Sequence, residues 1–153
     1  MSSWIIIGIV TGILSGIWAM LSLNIGLVTF AGFLGWSSFF AAGGGTKGLK
    51  SALITNFTGV IWGFLMVQMS NFFAVFLGET IGLGLSVAIG ACGMSMQSRF
   101  KWLGFIPGAF IGANTYFATG LNFGGSVAAM IVGGLFGYVN EKSVNWAAHR
   151  KVS

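Results

Sequence analysis

The stretch LGFIPGAFIGANTYFATG, residues 103–120, decides the predicted fold. It holds Pro107, the only proline of the chain, inside an apolar run that is rich in glycine. Proline removes a backbone donor from a helix, and a broken helix at membrane depth needs protein or a watery cavity to satisfy the freed groups. Asn114 and Thr115 follow, at a depth where polar side chains are costly. We expect this stretch and its relative at residues 31–48, AGFLGWSSFFAAGGGTKG, to face each other at the centre of a membrane protein.

The composition predicts that the lipid bilayer surrounds the protein. Of the 153 residues, 56% are hydrophobic and 6% are charged, whereas soluble domains carry about 25% charged residues. The mean hydropathy is +0.92. The net charge of +5 comes from Lys and Arg residues scattered between apolar runs, without the basic stripe that a nucleic-acid partner requires.

Six apolar segments come close to the length of about 20 residues that a membrane-spanning helix needs. They are residues 4–23, 27–42, 51–69, 72–96, 102–118 and 123–139. These segments predict an all-α polytopic membrane protein with six transmembrane helices in a single transmembrane domain, residues 1–153. The second segment is short, and helices 2 and 5 are expected to be broken, at Gly35 and Pro107, or re-entrant. Residues 140–153 are predicted to form a polar tail.

All seven Lys and Arg residues fall on one side of this six-helix arrangement. They are Lys47, Lys50, Arg99, Lys101, Lys142, Arg150 and Lys151. The predicted outer loops, around Asn24, residues 70–71 and Asn122, contain none of them. The positive-inside rule then places both termini and the tail in the cytoplasm.

A weak internal repeat divides the six helices into two halves, about residues 1–70 and 71–140. Moving the sequence by 72 positions places Gly32 on Gly104, and Gly35 then falls on Pro107. After a slip of two more positions, Gly59 and Gly63 fall on Gly133 and Gly137. Because each half contains three helices, an odd number, the halves enter the membrane from opposite sides. The sequence therefore predicts an inverted-topology repeat, a plan that many transporters use.

Four segments resemble a known family. They are TGILSGIW at residues 11–18, AGFLG at 31–35, GTKGLK at 45–50 and FIPGAFIGA at 105–113. In these segments the chain is similar to the YcdZ-like family of small bacterial inner-membrane proteins, with FIPG as the most specific part. The resemblance implies a multi-span protein of the bacterial inner membrane. The family is a domain of unknown function, so the resemblance supplies no catalytic or binding residues.

The side chains that most enzymes use are scarce. The chain has one histidine, His149, and one cysteine, Cys92, and its two acids are Glu79 and Glu141. No metal cluster, carboxylate pair or Ser–His–Asp triad can be assembled from them, so we expect no enzyme, no catalytic residue, no metal and no cofactor. Glu79 is expected at the outer start of the fourth helix. There it is either favoured by the helix dipole or serves as a gate or outer-mouth cation attractor.

Neutral polar and aromatic side chains mark the candidate pore or substrate site. The predicted lining consists of Ser37, Ser38, Asn56, Asn114 and Thr115, the aromatic Phe33, Trp36 and Phe110, and the break positions Gly35 and Pro107. Such a lining suits a small neutral molecule better than a bare ion, whose dehydration it could not offset. The alternative is that the polar groups only join helices and that the aromatic rings only pack the core.

These features favour a channel or facilitator for a small uncharged polar solute, such as urea, a short amide or a protonated weak acid. One alternative is a proton-coupled carrier that uses Glu79. Another is a non-transporting scaffold or modulator that binds partners through glycine faces. Those faces comprise Gly8, Gly12 and Gly16 on the first helix and Gly133 and Gly137 on the sixth, and they also predict a homo-oligomer.

Overall fold

The structure, a computed structural model, describes residues 3–149. Within this range the backbone forms six α-helices and one 3-10 helix, with no strand, which confirms the all-α prediction. The helices are α1 (Ser3–Asn24), α2 (Thr29–Ala41), α3 (Gly45–Leu77), α4 (Glu79–Met96), the 3-10 helix (Gln97–Arg99), α5 (Ile106–Ala118) and α6 (Phe123–His149).

Four of these helices, α1, α3, α4 and α6, are long and apolar enough to cross a membrane. The other two, α2 and α5, have 13 residues each. At 1.5 Å per residue a helix of that length extends about 20 Å, short of the hydrocarbon thickness of about 30 Å. The structure therefore shows four span-length helices and two short ones, where the sequence predicted six spans.

Pro107 does not break a helix. Because α5 begins at Ile106, Pro107 lies in the first helical turn, where the missing N–H has no intrahelical partner to lose. Residues 100–105 precede it without helix, so the predicted fifth segment is helical only in its later part. Likewise α2 runs through Gly35 without interruption. The predicted breaks within these two helices are thus wrong, and the alternative, that the two short helices are re-entrant, stays a prediction.

The turn between α3 and α4 also differs from the prediction. Helix α3 continues through residues 70–71, the predicted outer loop, and ends at Leu77. The chain reverses at Gly78, whose φ of +81° lies in a region that glycine adopts much more readily than other residues. Glu79 then begins α4 with an exposed side chain, at the helix N-terminus as predicted.

The predicted polar tail is partly helical, because α6 continues from Phe123 to His149. The tail residues Arg150 and Lys151, with the rest of residues 150–153, lie outside the described residues.

The central contacts of the bundle join each short helix to a long one. Between α5 and α3, Gly112 faces the carbonyl of Asn56, and Gly59 faces the carbonyl of Ala109. An added Cβ at either glycine would collide with that backbone oxygen. Glycine is therefore required for the backbones to approach this closely.

Helices α2 and α6 pack through the same arrangement. Gly35 faces the carbonyl of Met130, and Gly133 faces the carbonyl of Gly32. One turn further along, Gly137 of α6 packs against the rings of Trp36 and Phe39. Its counterpart on α3, Gly63, packs against Ala113 and Tyr116 of α5. The contact residues on α3 are Asn56, Gly59 and Gly63, and those on α6 are Met130, Gly133 and Gly137. Both sets are therefore spaced by three and then four residues.

Helices α1 and α4 lie at the periphery of this four-helix centre. Trp18 of α1 is fully buried against Gly32, and its indole Nε1 donates to the carbonyl of Thr29 at 2.9 Å. Helix α4 packs on α3, with Gly90 against Met66. Both peripheral helices expose large apolar side chains, such as Ile13 at 60%. Surfaces of this kind suit contact with lipid.

Candidate functional site

A buried hydroxyl–amide pair lies where α2 meets α3. Ser38 Oγ donates to Asn56 Oδ1 at 2.7 Å, and the two residues are 0% and 2% exposed. The other end of the amide, Asn56 Nδ2, has no hydrogen-bond partner within the described part of the chain. Leaving a buried donor unpaired costs about 1–3 kcal/mol. The arrangement therefore provides an N–H donor in an apolar interior that is available to an acceptor.

A small cavity borders Asn56 between α3 and α6. Its lining consists of Leu53, Asn56, Phe57 and Val60 of α3, and Val127, Met130 and Ile131 of α6. The cavity has a volume of about 10 Å³, close to that needed for one water molecule. Asn56 supplies the polar side chain of this lining. The site thus combines one amide with a small apolar cavity, and two of the lining residues, Phe57 and Ile131, are 46% and 43% exposed at the surface.

The lining of this cavity is nearly symmetric between the two helices. Three residues of α3 have counterparts on α6 that lie 74 positions later, since 53, 56 and 57 correspond to 127, 130 and 131. The same spacing relates Gly59 to Gly133 in the backbone contacts described above. The cavity therefore lies between equivalent segments of α3 and α6.

The short helices α2 and α5 correspond position by position. Ser37 follows the first residue of α2 by eight positions, and Asn114 follows the first residue of α5 by eight. Both are exposed, whereas the next residues, Ser38 and Thr115, are fully buried. Gly35 and Gly112 each follow the first residue of their helix by six positions, and each faces a backbone carbonyl of a long helix. Gly35 therefore corresponds to Gly112 and not to Pro107.

The structure does not bring Asn114 and Asn56 into one path. Asn114 lies on the exposed face of α5, and its amide has no hydrogen-bond partner among residues 3–149. Pro107 is exposed on that face as well. Thr115 is buried, but its hydroxyl donates to the carbonyl of Ile111 in its own helix at 2.7 Å. Of the predicted polar lining, Ser38 and Asn56 are the residues that interact with each other.

The predicted aromatic residues pack against other side chains in this structure. The ring centroid of Trp36 lies 6.0 Å from that of Phe33 and 6.0 Å from that of Phe136. Phe110 is half-buried and packs against a cluster that includes Met66 and Ala109. These contacts fit the alternative of core packing.

Two buried amides were missed by the sequence reasoning. Asn140 Nδ2 donates to Thr11 Oγ1 at 3.0 Å, which ties α6 to α1. Gln97 accepts from Trp62 Nε1 at 3.0 Å, which ties the end of α4 to α3. Asn140 directly precedes Glu141, and Gln97 lies two positions before Arg99, so they were assigned to a tail and a loop. A neutral amide at the edge of an apolar segment is the signal that could have identified them.

The two acids have different surroundings. Glu141 accepts a hydrogen bond from the backbone N–H of Gly45 at 2.8 Å and so caps the start of α3 from α6. A carboxylate is favourable there because of the helix dipole. Glu79 is exposed at the first residue of α4. Its role as a gate or cation attractor stays a prediction.

Comparison with known proteins identifies relatives along nearly the whole chain. "Inner membrane protein YcdZ" of Escherichia coli (strain K12) is 38% identical over 145 residues, which cover 94% of this chain and 87% of the relative. The protein of the same name in Salmonella typhimurium (strain LT2) is 37% identical over 146 residues, covering 95% and 89%. "Uncharacterized protein YahC" of E. coli is 31% identical over 143 residues, covering 88% and 86%. No solved structure matches the chain.

The resemblance noted in the sequence is confirmed by these relatives and by a family profile that matches residues 8–145. The chain belongs to the family described as "Protein of unknown function (DUF1097)".

Proposed function

We propose that this chain is an inner-membrane channel or facilitator for a small uncharged polar solute. The observation that carries the proposal is the unpartnered amide of Asn56, buried beside a small cavity between α3 and α6. Buried polar groups are nearly always hydrogen-bonded, and this holds especially where no bulk water is present. A free N–H donor in this position supports binding of a carbonyl or hydroxyl oxygen carried by a passing solute.

The architecture supports the same class of function. We interpret the two halves of the chain as an inverted-topology repeat in which the short helix of each half packs against a long helix of the other half. The matched contacts of α2 with α6 and of α5 with α3 support this interpretation. Transport proteins built in this way bind their substrates near the midplane, where the repeats meet. The lining of the cavity beside Asn56, in which Met130 is the counterpart of Asn56, supports a substrate site between the two halves.

The charges favour termini in the cytoplasm. Lys47, Lys50 and Lys101 line a common pocket, which places the start of α3 beside the loop before α5. The bond from Gly45 to Glu141 brings the same end of α3 next to the part of α6 that carries Lys142. The described lysines therefore gather at one end of the bundle, and the positive-inside rule assigns that end to the cytoplasm.

The size of the cavity implies that a solute passes only when helices separate. A space of about 10 Å³ admits a single water and not a molecule such as urea. We infer that this is a closed state, in which the bond between Ser38 and Asn56 holds α2 against α3. Outward movement of α6 from α3 widens the cavity and exposes the free N–H. Since no charged side chain lines the cavity, a neutral solute is favoured over an ion.

A second candidate, a scaffold or modulator that self-associates, has one observation in its favour. Gly8, Gly12 and Gly16 of α1 have nothing within 4 Å of an added Cβ, so this glycine face is open in the monomer. The other predicted face, at Gly133 and Gly137, is occupied by α2 within the same chain. An open small-residue face permits close helix contact with a second copy.

Solute flux in liposomes tests the proposal. Purified protein is reconstituted, and stopped-flow swelling is followed with urea, acetamide, glycerol, protonated acetate and, as a charged control, sodium chloride. We expect fast, non-saturating uptake of at least one neutral solute and no uptake of salt. Saturable uptake that requires a proton gradient would instead support the carrier. Rates equal to those of protein-free liposomes for every solute would contradict both transport functions.

A further inference from the structure

Three lysines from two distant parts of the sequence line one pocket at the end of the bundle. The pocket is formed by Lys47, Lys50 and Ser51 of α3 together with Lys101 and Trp102 of the loop before α5. Its volume, about 250 Å³, is far larger than that of the cavity beside Asn56. No acidic residue lines it.

The positive charge of this pocket is not neutralised, and one of its three ammonium groups is oriented by an aromatic ring. Lys50 Nζ lies 3.9 Å from the ring centroid of Trp102, a cation–π contact that orients the ammonium group. Lys47 lies one helical turn before Lys50, on the same side of α3. The acidic side chain at this end of α6, Glu141, accepts a hydrogen bond from the backbone N–H of Gly45. Within the described residues the three lysines have no carboxylate partner.

The surroundings of the pocket are those of a membrane–water interface. Trp102 is 56% exposed, and Phe100, two positions earlier in the same loop, is 59% exposed, so this loop presents large apolar rings at the surface. Exposed tryptophan is typical of the headgroup level of a bilayer. Basic pockets between transmembrane helices on the cytoplasmic side bind anionic headgroups. We propose that this pocket binds the phosphodiester headgroup of an anionic phospholipid, with Lys47, Lys50 and Lys101 on the phosphate and the acyl chains beside Phe100.

Binding of phosphatidylglycerol to the detergent-solubilised full-length protein tests this proposal. Affinity is measured by native mass spectrometry for wild type, Lys50→Gln and Lys101→Gln. Lys142→Gln is the matched control, because it removes the same charge from α6, where Lys142 lies 5.3 Å from the Tyr138 ring centroid. Each pocket lysine is expected to account for about a fivefold change in affinity, and the control for less than twofold. Equal losses in all three variants would overturn the site.

Two further arms identify the source of the phosphate. Phosphatidylethanolamine tests whether a net negative headgroup is needed, and glycerol phosphate and inorganic phosphate test whether the acyl chains are needed. We expect phosphatidylglycerol to bind at least tenfold more tightly than each of these three compounds. Equal binding of phosphatidylethanolamine refutes recognition of charge, and equal binding of the soluble phosphates refutes a lipid ligand.

A spectroscopic measurement locates the lipid without relying on the lysine variants. Phosphatidylglycerol with brominated acyl chains quenches nearby tryptophan fluorescence, and the contribution of Trp102 is the difference between wild type and Trp102→Phe. We expect this difference to saturate at a lower lipid fraction for phosphatidylglycerol than for brominated phosphatidylethanolamine. The same quenching curve for both lipids contradicts the proposal.

Discussion

Replacing Asn56 by leucine is expected to stabilise the protein while removing its proposed function. The substitution deletes an N–H donor that is buried without a partner, which relieves a cost of about 1–3 kcal/mol. It also deletes the bond from Ser38, and side-chain hydrogen bonds in membrane proteins average about 0.6 kcal/mol. The freed Ser38 hydroxyl can bond a carbonyl of its own helix. The net expectation is a gain of about 1 kcal/mol in the free energy of unfolding.

A second buried asparagine provides the matched control. Asn140 is 3% exposed, close to the 2% of Asn56, but its amide is bonded to Thr11. Asn140→Leu therefore removes a satisfied bond and is expected to destabilise by about 0.5–1.5 kcal/mol. Reversible unfolding by SDS in mixed micelles measures both variants. If Asn56→Leu lowers stability as much as Asn140→Leu does, the amide of Asn56 has a partner and the reasoning about a free donor is refuted.

Three further predictions concern packing, charge and the turn. Gly59→Ala and Gly133→Ala place a Cβ against a backbone oxygen and are each expected to lower the free energy of unfolding by at least about 2 kcal/mol in the same assay. Gly12→Ala meets open space, so it should be neutral or stabilise by up to about 1 kcal/mol. Equal effects at the three positions would show that the close helix contacts are absent. Glu79→Gln is expected to leave solute uptake and its pH dependence unchanged, because Glu79 is exposed at the start of α4 and does not line the cavity; loss of uptake would favour the carrier. Gly78→Ala is expected to cost about 1–3 kcal/mol, because φ is +81° and ψ is 159° there, a conformation that residues with a Cβ rarely adopt. Gly84→Ala on α4, which meets open space, is its control.

Much of the fold could be predicted because composition and glycine spacing are direct physical signals. A chain with so few charged side chains cannot form the polar surface that a water-soluble domain needs, so a helical membrane protein is predicted. The correspondence of Gly59 and Gly63 with Gly133 and Gly137 matches the contacts that the structure shows, since backbone approach leaves little choice but glycine. Signals of this kind do not depend on knowing the three-dimensional arrangement.

Pro107 and residues 70–71 were misjudged for physical reasons. Proline is compatible both with a kink inside a helix and with the first turn of a new one, and the local sequence does not distinguish them. Residues 70–71, Ser-Asn, are a plausible turn by polarity, yet they lie within α3. The chain turns at Gly78, where glycine adopts a positive φ inside an apolar run.

The candidate site was only half predictable because the helices are apolar on all sides. When lipid-facing and buried faces are both apolar, periodicity does not indicate which side of a helix is packed. Asn56 and Asn114 look alike in sequence, but one is buried at a crossing of helices and the other is exposed. That difference depends on how α3 and α5 pack, which a single sequence does not encode locally.

The uptake rate of Asn56→Leu compared with that of Asn114→Leu tests the central claim most directly. Both variants make the same chemical change, one beside the cavity and one on the exposed face of α5. Because the amide contributes one hydrogen bond to a passing solute, we predict that Asn56→Leu lowers neutral-solute uptake in liposomes at least about fivefold. Asn114→Leu should leave the rate within a factor of about two, as expected for a surface change. An unchanged rate in Asn56→Leu, or a larger loss in Asn114→Leu, would contradict passage of the solute beside Asn56.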